Sequence, residues 1–241
     1  MDPRTEIIKE RLKEVDKLIP VASGKGGVGK SLIASTTALL ISEKEYDVGL
    51  FDLDLHGPSA HVILGAQDYS FPEEKKGIIP PEVGNIKFMS TVYYSRDKPS
   101  PLRGDDISNA LRELLAVTRW GDLDYLIVDM PPGIGNETLD TIQLMKKAKF
   151  LVATTPSKVA LSTVKKLVQM LKELEVPIAG IIENMKTENS PDIKREIENL
   201  GVTYLGEIRF DRNLEKAIGK PRKILETSFA EDLKKALSSE F

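Results

Sequence analysis

Short apolar runs recur along the chain at residues 18–22, 48–51, 86–89, 125–128, 150–153 and 178–182. Their length suits strands buried on both faces. Most are followed by a stretch in which apolar residues return every third or fourth position, at 31–43, 107–117, 137–147 and 162–174. That spacing predicts amphipathic helices. Strands alternating with helices imply an α/β fold, a mostly parallel sheet with helices on both faces. Ligands of such sheets sit at the carboxyl ends of the strands.

Other stretches fill in the outline. Ile7, Ile8, Leu12 and Val15 fall on one side of an opening helix, a helical extension over about residues 1–17. Residues 65–84 carry Pro72, Pro80, Pro81 and a charged patch from Glu73 to Lys76, and read as a surface excursion rather than a domain boundary. Phe229, Leu233, Leu237 and Phe241 recur every fourth residue and predict a final helix. Docking on the core is its ordinary role, and membrane attachment is the alternative. With 241 residues, 41% hydrophobic and 29% charged, residues 1–241 are expected to form a single domain.

Charge and cysteine content narrow the chemistry. Lys and Arg total 34 against 37 for Asp and Glu, a formal net charge of −3, so no nucleic-acid partner is expected. The lysine groups Lys146, Lys147, Lys149 and Lys165, Lys166 read as solvated helix faces. The N-terminus mixes Arg4, Glu6, Lys9 and Glu10 with its apolar residues, unlike a secretory signal, and no apolar span reaches membrane length. A cytoplasmic protein is expected. Cysteine is absent, so this chain can supply no thiolate ligand or thiol nucleophile.

The chemistry begins directly after the first apolar run, at Gly24, Lys25, Gly26, Gly27, Val28, Gly29, Lys30, Ser31 and Leu32. This is the phosphate-loop pattern GxxxxGKS, in which glycines let backbone N–H groups converge on a polyphosphate, a lysine neutralises it and a hydroxyl helps hold magnesium. Strand, loop and helix stand in the required order, which puts the helix N-terminus at the anion. Asp52 and Asp54 close the second strand, and residues two apart on a strand share a face, so two carboxylates meet there and call for a cation. A third acid, Asp129, ends the apolar run 125–128 in the Walker B manner and is expected at a magnesium ion. Gly133 and Gly135 then provide a loop whose backbone can approach a terminal phosphate. His56 and His61 flank Gly57 and Pro58 and read as helix-start or surface residues, with a transition-metal site as the alternative.

The second lysine, Lys25, makes GKGGVGKS similar to the deviant Walker A motif of the MinD and ParA class of P-loop ATPases. Within that class the chain resembles the Mrp (ApbC) family of iron–sulfur cluster carriers. The likeness rests on Asp52, Leu53, Asp54, Leu55, His56, Gly57, Pro58, Ser59, on DYLIVDMPPGIGNE from Asp124 to Glu137, on Glu183, Asn184, Met185, and on Gly219, Lys220, Pro221. The resemblance implies ATP and Mg2+ as cofactors and an ATP-dependent homodimer in which Lys25 contacts the partner subunit's nucleotide. It implies further that Asp54 positions the attacking water, that Ser31, Asp52 and Asp129 serve the metal, and that Asn184 contacts adenine. ATP is expected over GTP because Asn184, Met185, Lys186, Thr187 do not form the guanine motif NKxD.

The chain departs from that family where it matters for cargo. Carriers usually place a CxxC just after the Glu-Asn-Met element, whereas here Lys186, Thr187, Glu188, Asn189, Ser190, Pro191 follow with no cysteine. Ile134, Asn136 and Arg209 are smaller departures. The expected role is therefore an ATPase switch in iron–sulfur or metallocofactor assembly that relies on the cysteines of partner or client proteins. The alternative is a positioning or regulatory ATPase like MinD or ParA. Anaerobic reconstitution of the isolated protein with iron and sulfide is expected to leave it colourless; a visible charge-transfer band from a bound cluster would contradict the cysteine argument.

Overall fold

The computed structural model describes residues 2–68, 70–96, 98, 104–145 and 147–238. Lys146 and Phe241, singled out above, lie outside them. Eight strands are seen among the described residues: β1 (Val15–Ser23), β2 (Val48–Asp52), β3 (Glu82–Val83), β4 (Ile86–Ser90), β5 (Leu123–Asp129), β6 (Phe150–Thr154), β7 (Ile178–Lys186) and β8 (Tyr204–Arg209). The helices are α1 (Arg4–Lys13), α2 (Lys30–Ser42), α3 (Ala60–Leu64), α4 (Val92–Ser95), α5 (Asp105–Val117), α6 (Asn136–Leu144), α7 (Lys158–Glu173), α8 (Lys194–Glu198), α9 (Leu214–Ala217), α10 (Pro221–Leu225) and α11 (Ser228–Ala236).

The strands form one sheet in the order β3-β4-β2-β5-β1-β6-β7-β8. Only β3, antiparallel to β4, breaks the parallel pairing. The expected α/β architecture is therefore present. From β1 the chain runs outward to β2 on one side, and later strands cross to β6, β7 and β8 on the other. The strand order reverses at β1, and its carboxyl end is the switch point at which open sheets hold ligands. Strands β2 and β6 are buried along their whole length, as short apolar runs require. Phe51, Trp120, Phe88 and Phe150 fill the core, with the Phe51 and Trp120 rings edge to face at 5.2 Å. Each such side chain gains about 1.5–3 kcal/mol by leaving water.

Several boundaries differ from the sequence expectation. The opening helix ends at Lys13, short of residue 17, because Val15 pairs with Leu123 of β5 and so belongs to the sheet. Strands β3 and β8 were not expected. β8 is an edge strand with mixed exposure and therefore lacks an apolar run, and β3 is only two residues long. The proline-rich excursion supplies β3, which pairs with β4, and two isolated bridges, Glu74 to Ile78 within itself and Ile78 to Thr118 at the end of α5. The final helix is α11: Phe229, Leu233 and Leu237 are buried, and it packs on β8 and α2. Arg209, where the resemblance leads one to expect proline, grips Asp232 of α11 with two side-chain N–H groups at 2.7 and 2.8 Å. That contact holds the Asp232 carboxyl below the usual carboxylate range. Among the described residues no helix is long and apolar enough to cross a membrane.

Candidate functional site

The loop between β1 and α2 closes over the sheet's switch point. Gly27 and Gly29 have φ of 76° and 84°, left-handed conformations that glycine adopts without the penalty a Cβ brings. Gly24 is required for a different reason. A Cβ there would stand 2.5 Å from the backbone carbonyl carbon of Thr163, where α7 packs on the loop. Around the loop lies a cavity of about 340 Å³, lined by Gly26, Gly27, Gly29, Lys30, Ser31, Leu32 and Pro132 together with Asp54, Gly57 and Ser59. Backbone amides and a helix N-terminus meeting a lysine and a serine suit an oxyanion.

Lys30 is 6% exposed and its ammonium donates to Oδ1 of Asp129, which is fully buried. The sheet creates this meeting, since β5 lies between β1 and β2 and pairs Asp129 with Val21 on one side and Asp52 on the other. Burial pushes the Asp129 carboxyl up, while Lys30 pulls it down. Its second oxygen, Oδ2, is buried and has no hydrogen-bond partner at ordinary distance among the described residues, while the neighbouring Ser31 hydroxyl, like Lys30, draws the carboxyl down. An orphaned carboxylate oxygen next to the Ser31 position is a hard-oxygen donor set that fits magnesium. Among the described residues no group of three or more His, Cys, Asp or Glu converges as a metal cage. Magnesium does not need one, because it usually takes one or two protein ligands and completes its shell with waters and phosphate.

Asp52 has another task. β2 ends at Asp52, where the chain turns back so that the Asp54 N–H donates to Asp52 Oδ1 at 3.1 Å. Oδ2 accepts from the N–H groups of Ser59 (3.1 Å) and Ala60 (3.2 Å). The two acids therefore do not sit side by side on one strand face, and Asp52, expected at the metal, accepts three N–H groups of the loop that follows and is not among the residues lining the cavity. Burial, reinforced by Asp129, pushes its carboxyl up to about 8. Asp54 does reach the cavity, and its Oδ1 accepts from Gly57 N–H (3.0 Å) and His56 N–H (3.2 Å).

The remaining expected residues lie around this cavity without lining it. Lys25 is half-exposed and makes no ion pair among the described residues. Val28 is buried. Gly133 donates its N–H to the Ser23 carbonyl at 3.0 Å, so in this structure that amide joins the second switch loop to β1 rather than facing the cavity. Asn184, expected at adenine, is buried against the phosphate loop. His56 is exposed and His61 buried on α3. Thr163, Pro132 and Ile63 were missed, and contacts between distant elements leave no local signal in sequence. A larger cavity of about 700 Å³ lies beyond the 55–58 loop, which forms one wall of it, but its lining is mainly apolar, including Leu55, Ile78 and Leu114. Its lining includes Lys98 together with Glu74 and Glu113, and the phosphate loop does not border it.

Comparison with known proteins places this geometry. Residues 14–239 match the family model for ParA, described as NUBPL iron-transfer P-loop NTPase. The chain belongs to this family. The NTPase is 35% identical over 240 residues to the iron-sulfur cluster carrier protein of Pyrococcus abyssi, covering 90% of this chain and 81% of that one. It is also 35% identical over 246 residues to the protein of the same name from Methanocaldococcus jannaschii, covering 95% and 85%. Among solved structures, a nucleotide-binding protein from Archaeoglobus fulgidus in complex with ADP superposes with TM-score 0.81 at 28% identity, over 95% of this chain and 96% of that one. The cell division ATPase MinD of Pyrococcus furiosus shares the fold, with TM-score 0.71 at 17% identity over 92% and 97%.

The assignment of Asp52 to loop anchoring has a direct test in nucleotide-free protein. Asp52→Ala removes the acceptor of three backbone donors, and each unsatisfied buried donor costs about 1–3 kcal/mol. Amide exchange across residues 54–60 is expected to accelerate without any metal present. Unchanged protection there would mean that Asp52 does not hold the loop.

Proposed function

We propose that this NTPase binds ATP with magnesium, hydrolyses it slowly, and uses the cycle as a homodimeric switch in iron–sulfur or metallocofactor assembly. The cavity carries the reading: the phosphate-loop glycines, Lys30 and Asp54 line one and the same space. The ADP complex of the Archaeoglobus fulgidus protein supports a nucleotide as occupant.

In this reading Gly26, Gly27, Gly29 and Lys30 bind the phosphates through N–H donors and a localised positive charge. Ser31 and Asp129 would hold the magnesium ion, which when bound neutralises charge on the phosphate oxygens. Asp54 orients a water toward the terminal phosphorus. A bond forms from the water oxygen to that phosphorus as the bridging P–O bond to the leaving diphosphate breaks, and the water's proton is released with the phosphate. Loss of the phosphate removes a partner from the wall carrying Asp54, Gly57 and Ser59, and the 53–60 loop relaxes. Lys25, half-exposed at the rim, is free to reach a nucleotide held by a second copy.

The loop after β7 limits what the switch carries alone. It closes as a tight turn: Thr187 N–H donates to Ser190 Oγ at 3.0 Å, Ser190 N–H to the Thr187 carbonyl at 3.0 Å, and the two hydroxyls share a hydrogen bond at 2.9 Å. Lys186 braces it by donating to Glu183 Oε1 (2.9 Å) and to the Pro191 carbonyl (3.2 Å). Every group in this turn is a hard donor or acceptor, so cluster ligands have to come from a partner. Membrane recruitment through the final helix finds no support, since the apolar face of α11 is covered by β8 and α2.

Asp54→Ala is expected to abolish magnesium-dependent phosphate release while ATP binding persists within about threefold; hydrolysis at the wild-type rate would remove Asp54 from the mechanism. Lys25→Ala is expected to weaken ATP-dependent dimerisation by tenfold or more in sedimentation experiments. A wild-type protein whose mass does not change with ATP would contradict the dimer.

A further inference from the structure

The cavity of about 700 Å³ beyond the 55–58 loop has no part in the proposed cycle. Four pieces of the chain enclose it. Helix α5 contributes Ala110, Leu114 and Val117, one face at helical spacing, and α4 with its flanks contributes Thr91, Tyr94 and Lys98. The 74–78 turn and the 55–58 loop close the remaining sides. A concave space of this size, mainly apolar with a few polar groups, suits a small organic molecule. The charges in it are unequal, since two carboxylates, Glu74 and Glu113, stand against one ammonium, Lys98, with His56 as the remaining ionisable lining residue besides the Tyr94 phenol. Burial first, and then the nearby Glu113 and Glu74, pushes that phenol above the usual range. The Tyr94 ring also meets Phe71 edge to face at 5.3 Å, and both rings stay exposed, at 44% and 57%. Exposed aromatic rings beside carboxylates favour an organic cation, which gains from the ring faces and from the charges together.

This cavity shares a wall with the phosphate site, because Gly57 lines both. The N–H groups of Gly57 and His56 donate to Asp54 Oδ1, so the peptides of the partition also hold the carboxylate that lines the phosphate cavity. The partition is thin: a Cβ on Gly57 would meet nothing within 4 Å. Helix α5 is tied in turn to α6, which follows the second switch loop, by Arg112 and Asp140 at 3.0 Å. We propose that the larger cavity is a second ligand site for a small amphipathic cation, an apolar body with a protonated amine or guanidinium head, and that the Asp54 loop responds to its occupancy. The site goes beyond the nucleotide reading and stands without it; only its bearing on hydrolysis rests on that reading.

Decylammonium and decanoate share a chain length and carry opposite charge, which makes them a matched pair of probes. In calorimetric titration of the nucleotide-free full chain, below the micellar range, one decylammonium per chain is expected to bind, about tenfold or more tightly than decanoate. Glu74→Gln, a change at an exposed side chain, is expected to cut that preference about fivefold. Ala110→Trp, which fills the cavity, is expected to abolish binding; should that variant fail to fold, Glu74→Gln still decides. With decylammonium bound, amide exchange across residues 54–60 is expected to slow about threefold or more. Absence of saturable binding, decanoate bound as tightly as decylammonium, or a preference that Glu74→Gln leaves unmoved overturns the site. Saturable binding with unchanged exchange across residues 54–60 overturns its link to the loop. A protein that takes decylammonium as expected but binds no ATP keeps this site and loses the nucleotide reading, so the two failures are distinguishable.

Discussion

The structure depends on one buried ion pair, Lys30 to Asp129, at the centre of the sheet's carboxyl edge. Lys30 opens α2, Asp129 closes β5, and the strand order sets β5 between the strand that leads into the phosphate loop and the strand that leads into the 53–60 loop. With Asp52 next door in register, two carboxyl groups and one ammonium share a site closed to water. Removing one member of such a pair without replacement costs about 3–5 kcal/mol. A phosphate that draws Lys30 away must therefore leave Asp129 with another cation. In the proposed cycle the Oδ2 of Asp129 is where a magnesium ion would meet that need, which would couple phosphate and metal binding by charge balance.

The 53–60 loop stands between two cavities and is held by acids rather than by apolar packing alone. Asp52 collects the N–H groups of residues 54, 59 and 60, and Asp54 those of 56 and 57. One carboxylate thus fixes the base of the loop and the other shapes its tip beside the phosphate position. The same loop forms a wall of the larger apolar cavity. The Arg209 to Asp232 contact and the braced turn after β7 show a similar economy elsewhere: at these two departures from the resembled pattern the chain closes hydrogen bonds of its own.

Most of this fold is legible in the sequence because buried parallel strands must be apolar and the helices between them must be amphipathic. β8 escaped because an edge strand carries no such run, and β3 because two residues carry no period. The phosphate loop is legible for a different reason, since glycine spacing encodes backbone conformation, and Gly27 and Gly29 do adopt left-handed φ. What one strand pattern could not reveal is where a side chain is already engaged. Asp52, for example, accepts three backbone N–H groups of the loop that follows it. Nor does the pattern show that the Asn184 amide donates to the Val28 carbonyl, or that the Gly133 N–H donates to the Ser23 carbonyl. These contacts join residues from 2 to 156 positions apart, and no local pattern encodes the longer ones.

The central claim, that a buried Lys30 to Asp129 pair makes nucleotide binding depend on a divalent cation, is tested most directly by calorimetric titration of the nucleotide-free protein with ATP, once with magnesium and once with EDTA. Charge balance predicts a single site per chain whose affinity falls by tenfold or more when magnesium is withheld. Equal affinity under the two conditions, or no binding of ATP with magnesium present, would contradict it.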